Sequence, residues 1–182
     1  MIHYIFKFLA VILVILPFYL LVRRPFQRDL AREAGLGIFI LFTLGLLALA
    51  LEGDYQSPVL MIRAAKQRLS TGARINLIPL HSMKSFFIHF HFNTFMVNIV
   101  GNIVMFIPWG FGLPLLWKKR QSLFSSVLFS ALLPLFIEAV QLFIQRSVDV
   151  DDLILNFSGG MLGAALYFLI RKRSCRLDRL AR

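Results

Sequence analysis

Long apolar runs follow one another at short intervals along this chain, and the polar residues gather between them. A helix needs about 20 predominantly apolar residues to cross the hydrocarbon core of a bilayer. Five runs approach that length, at about 5–22, 34–51, 94–117, 123–145 and 153–170. In the first, Lys7 sits near enough to the end to snorkel outward, and the second carries no charge. The third contains Asn98, Asn102, Pro108 and Pro114, which predicts a bend or an early end near Pro108. A single charge, Glu138, interrupts the fourth. The pattern predicts an all-α integral membrane bundle of about five transmembrane helices.

One long connection, 52–93, separates the second and third runs. Within it "PVLMIRAAKQRL" (58–69) opens on Ser57 and Pro58 as an N-cap and first-turn pair and sets apolar against basic residues. Such a segment suits an amphipathic helix lying in the membrane interface, and an ordinary water-facing helix accounts for it equally well. The chain thus divides into two N-terminal transmembrane helices (1–52), an extracytoplasmic connection with the amphipathic segment (53–93), a three-helix core (94–170) and a basic cytoplasmic tail (171–182).

Composition agrees with a membrane protein: 58% of the 182 residues are hydrophobic, 19 are Phe, and the mean hydropathy is +0.75. The net charge of +11 raises the question of nucleic acid. Its Lys and Arg residues lie in short clusters beside the apolar runs, which is the signature of membrane topology and argues against a nucleic-acid partner. In a five-span arrangement 13 of them fall on the side of the C-terminus and 7 on the other, so the C-terminus is expected in the cytoplasm. A cleaved signal peptide fits poorly, since no small-x-small site precedes Arg23 and Arg24. The single cysteine, Cys175, can form no intramolecular disulfide and leaves the redox compartment open.

Polar residues inside the runs are the candidates for chemistry. An ionised carboxylate in mid-membrane costs on the order of 2.5–3.5 kcal/mol on insertion scales, so Glu138 must be protonated, paired or turned toward a wet cavity. Gln141 lies three residues on, along the same helical face. Asn98 and Asn102 share a face of the third run, with Gly101 beside them. Asp152, Asn156 and Gly160 repeat at intervals of four in the fifth, and Asp149 precedes Asp152 by three. Ordinary structural roles compete: asparagines bond between membrane helices, Asp149 suits an N-cap, Asp151 and Asp152 complement a helix dipole, and Gly159 with Gly163 gives a packing spacing.

Elsewhere the signals are weak. His89 and His91 in "HFH" have no carboxylate or cysteine at ligand spacing, so no metal or other cofactor is expected. No phosphate loop, nucleophile elbow, zinc-protease or dinucleotide fingerprint occurs. Ser82, Ser85 and Ser158 have no base assigned by spacing.

Four blocks in order, "INLIPL" (75–80), "NIVGNIVMFIPWGFGLPLL" (98–116), "IEAVQLF" (137–143) and "RSVDVDDLILNFSGGMLG" (146–163), resemble the VanZ-like family. The resemblance covers about half the chain and leaves out the first two runs. Val148 departs from it, standing where an aromatic is common. It implies a small multi-pass protein of the bacterial cytoplasmic membrane, from a family whose named member is associated with low-level teicoplanin resistance. Binding candidates are Asn98, Asn102, Glu138, Gln141, Arg146, Asp149, Asp152 and Asn156, with Glu138 and Asp152 as the candidate catalytic pair. Three functions are open: a non-catalytic module binding a lipid-linked wall precursor or a lipoglycopeptide among membrane lipids, a membrane-embedded enzyme using the Glu/Asp pair, and proton-coupled transport. The absence of an internal repeat disfavours transport.

Overall fold

A computed structural model describes residues 29–53 and 55–172, together with Leu13, Leu16, Pro17 and Tyr19. Most of the first expected span, at 5–22, and most of the basic tail therefore lie outside the described residues. Among the described residues four helices are long and apolar enough to cross a membrane: α1 (Leu30–Ala50), α4 (Phe92–Leu116), α5 (Leu123–Phe143) and α6 (Val150–Arg171). Two shorter helices, α2 (Pro58–Thr71) and α3 (His81–Ile88), fall in the long connection. The pattern expected from the apolar runs is thus present as an all-α bundle.

Close backbone approach holds α4 and α6 together, and the small residues of the sequence lie where the helices meet. A Cβ added to Gly159 would stand 2.1 Å from the Ile103 carbonyl oxygen, and one added to Gly163 would stand 2.1 Å from that of Ile107. Gly159 and Gly163 meet successive turns of α4 in the same order, so the two helices run parallel. In contrast α5 runs antiparallel to α6, with Ser130 against Gly160 and Glu138 reached by the backbone of Asp149. Where α1, α4 and α5 meet, Leu46, Phe106, Leu133 and Ile137 form an apolar core, with Trp109 packed against it. On the outer faces Val104, Leu128, Leu135, Phe136, Leu162 and Leu169 are exposed, as lipid contact requires.

Of the bend or early end expected near Pro108, the early end does not occur. Helix α4 continues through Pro108 and Pro114 to Leu116, and its irregular turn is a π-helical one at Met96–Val100. Membrane helices tolerate proline when neighbouring groups satisfy the freed carbonyl. In α5, Pro134 cannot donate to the carbonyl of Ser130, four residues back, and the Trp109 indole N–H donates to that oxygen at 3.2 Å.

The connection folds back onto the bundle. Strand β1 (Ile75–Asn76) pairs in parallel with β2 (Val148–Asp149), setting Asn76 opposite Asp149. Ser57 N-caps α2 with extended backbone and Pro58 in its first turn, without a side-chain capping bond, and Gly72 ends the helix in the left-handed conformation (φ 70°). Ala65 and Arg68 face inward, while Val59, Leu60, Ile62 and Leu69 stay exposed.

Candidate functional site

At the end of the bundle where α4 and α6 begin and α1 and α5 finish, five polar segments converge. Asp149 is the N-cap of α6, its carboxylate accepting from the Asp151 backbone N–H at 2.9 Å. The same side chain accepts from the Asn76 amide at 2.9 Å and from the Ser82 hydroxyl. Asn76 turns its own carbonyl to the Ile78 N–H at 3.1 Å, so the "INL" corner is locked on both sides.

Asp151 does not face the seam. It is 1% exposed and its two oxygens accept from the backbone N–H groups of Leu80 and Met83, closing the N-terminus of α3. The sequence suggested a charge favourable to its own helix; the structure spends it on another. Leu80, at the α3 N-cap, has φ 67° and no capping side chain of its own, which explains why the acceptor comes from outside.

Glu138 and Asp152 lie on facing helices. One oxygen of Glu138 accepts from the Asp149 backbone N–H at 3.2 Å, and Asp152 accepts from the Asn102 amide at 2.9 Å. Glu138 is buried and Asp152 half-buried, and neither makes an ion pair among the described residues. Asn156, one turn further into the membrane on α6, is buried with its carbonyl oxygen unpartnered. The structure thus brings together Asn102, Glu138, Asp149, Asp152 and Asn156.

The other candidates divide. Gln141 is buried but donates to the Ala50 carbonyl at 3.0 Å, tying the ends of α1 and α5 together. Arg146 is exposed and donates to the Glu52 carbonyl at 3.1 Å. Asn98 donates to the Thr94 carbonyl of its own helix at 2.8 Å and joins none of the carboxylates. No grouping of His, Cys, Asp and Glu suited to a metal ion occurs among the described residues.

Arg68 is the residue that the sequence did not single out. Its buried guanidinium donates to the carbonyls of Ala73, Arg74, Gln141, Leu142 and Arg146. Burial, with the charge of Arg74 added, lowers its pKa from the ordinary arginine value. Helix α5 ends there with Gln145 in the left-handed conformation (φ 59°) and the Arg146 N–H bonded to the Gln141 carbonyl. Arg68 adds donors to the Gln141 and Leu142 carbonyls at the negative end of that helix. A charge tally read it as one more basic loop residue; the apolar neighbours of α2 were the available signal, and they were too few.

These helices and their carboxylate-lined seam define a multi-pass α-helical membrane protein. A family model described as VanZ/LLP1 matches residues 38–171, and the chain belongs to that family. No curated protein and no solved structure matches it.

Proposed function

We propose that this VanZ-family protein is a non-catalytic module of the bacterial cytoplasmic membrane, oriented with its C-terminus inside, that binds the head of an amphiphile in the outer half of the bilayer. A lipid-linked cell-envelope intermediate or a lipoglycopeptide such as teicoplanin is the class of ligand. The observation that carries this reading is the pair Glu138 and Asp152: two carboxylates on facing membrane helices, each with one neutral N–H partner and no direct ion pair among the described residues, with the charge of Arg146 nearby. Intramembrane carboxylates are expensive, and a site that leaves them half satisfied is one where a ligand supplies the remainder.

The same pair supports a second reading as general acid and base, because the two groups are held differently, one by a backbone N–H and the other by a side-chain amide. Susceptibility of a sensitive Gram-positive host to teicoplanin and vancomycin, with membrane abundance of wild type, Glu138→Gln and Asp152→Asn measured alongside, tests the first. Resistance to teicoplanin alone, lost in both variants at equal abundance, supports binding of a lipid-tailed glycopeptide; no effect of the wild type removes that ligand. Conversion of an extracted lipid by purified wild type but not by Glu138→Gln would establish the enzyme.

A further inference from the structure

The chemistry of the seam selects among ligand heads. Glu138 and Asp152 each keep one oxygen without a hydrogen bond among the described residues. Asn156 adds an independent acceptor: it is only 6% exposed, yet its carbonyl oxygen has no partner. Its direction follows from the packing. Gly159, three residues on, meets Ile103 of α4, and Gly160, four residues on, meets Ser130 of α5. Residues three and four apart share a helix face, so Asn156 lies on the face of α6 directed between α4 and α5. With α5 antiparallel to α6, the register set by Ser130 and Gly160 puts Pro134 level with Asn156 and Glu138 level with Asp152. Asn156 therefore lies one turn below the level of Glu138 and Asp152, on the face of α6 directed between α4 and α5.

Three acceptors in a weakly polar environment, two of them carboxylates, suit a group that is positively charged and carries three N–H donors. A phosphate is repelled there, and a quaternary ammonium has charge without donors. Resting on the binding reading above, we infer that the seam receives a primary ammonium on the ligand's head, held by Glu138, Asp152 and Asn156. Exposed Arg146 donates to the Glu52 carbonyl close enough for its charge to act on both carboxylates, and there it is available to a neighbouring anionic group of the ligand.

Short-chain phosphatidylethanolamine, phosphatidylcholine and phosphatidylglycerol, added to the purified full chain and resolved by native mass spectrometry, test this. The first two share a zwitterionic head and differ in N–H donors. Phosphatidylethanolamine is expected to bind about tenfold or more tightly than either of the others, the scale of charge-assisted hydrogen bonds. That preference is expected to vanish in Glu138→Gln and shrink in Asn156→Leu. The leucine fills similar volume and removes an unpartnered amide, so its Tm should not fall; Glu138→Gln supplies an independent variant. Equal affinity for phosphatidylethanolamine and phosphatidylcholine, or preference for phosphatidylglycerol, with binding still sensitive to Glu138→Gln, overturns the ammonium assignment and leaves the binding reading standing. Binding of all three unaffected by either variant overturns both.

Discussion

Asn76 and Asp149, 73 positions apart, are joined by a 2.9 Å hydrogen bond from amide to carboxylate where two short strands run side by side. Asp149 also caps α6 and presents its backbone N–H to Glu138, so a single residue couples the folded connection to the intramembrane carboxylate. Replacing Asn76 by Leu leaves the cap intact and removes the clasp. Loss of a hydrogen bond to a charged group of this kind costs about 1.5–3 kcal/mol. Limited proteolysis of reconstituted protein should show faster cleavage within 77–93, with the four long helices remaining protected.

Asp151 caps a helix to which it does not belong. In Asp151→Ala the backbone N–H groups of Leu80 and Met83 lose their acceptor at the start of α3. A lost N-cap costs about 0.5–2 kcal/mol, and a helix of eight residues has little intrinsic stability to absorb it. Hydrogen exchange should rise across 80–88 while exchange in α6 beyond its first turn is unchanged. Equal loss of protection throughout α6 would assign Asp151 to its own helix instead.

The long apolar runs made the bundle legible. Expected spans at 34–51, 94–117, 123–145 and 153–170 correspond to Leu30–Ala50, Phe92–Leu116, Leu123–Phe143 and Val150–Arg171. Glu138 and Asn102 stood out because a polar group inside an apolar run is conspicuous whatever surrounds it, and Asp152 because it continues the spacing of Asn156 and Gly160 into the first turn of α6. The fold of the connection was not readable. Its strands are two residues long, and Arg68 finds carbonyl partners 73 to 78 positions away, so neither leaves a local periodicity. Asn98 illustrates the opposite error: helical spacing put it with Asn102, but its amide closes on Thr94 within the same helix.

Glycine at the α4 and α6 contact is a steric requirement. Gly163→Ala would set a Cβ 2.1 Å from the Ile107 carbonyl oxygen and 2.8 Å from the Phe111 nitrogen, both backbone atoms that cannot swing aside. The helices must separate, at a cost of about 1–3 kcal/mol or more. Gly35→Ala is the control, since its nearest neighbour is the Leu116 side chain at an ordinary 3.6 Å. Thermal unfolding in detergent should show a lowered Tm for Gly163→Ala and an unchanged or slightly raised one for Gly35→Ala, because alanine limits the unfolded chain by roughly 0.4–1 kcal/mol.

Arg68 separates charge from geometry. Its planar group spreads N–H donors over five carbonyl oxygens contributed by the turn after α2, the end of α5 and the turn after α5. Lysine keeps the positive charge and offers three donors from one point, which cannot reach oxygens placed around a fork. If charge at the end of α5 were the whole contribution, Arg68→Lys would behave as wild type. The geometry requires instead that Arg68→Lys lose most of the stability lost in Arg68→Ala, because buried carbonyls left without a donor cost about 1–3 kcal/mol each. Unfolding of both variants in the same detergent, with a cysteine pair at Ala73 and Gln145 reporting whether the turn stays docked by its crosslinking yield, distinguishes the two. A crosslinking yield for Arg68→Lys equal to that of wild type would return Arg68 to the role of a simple counter-charge to the helix dipole.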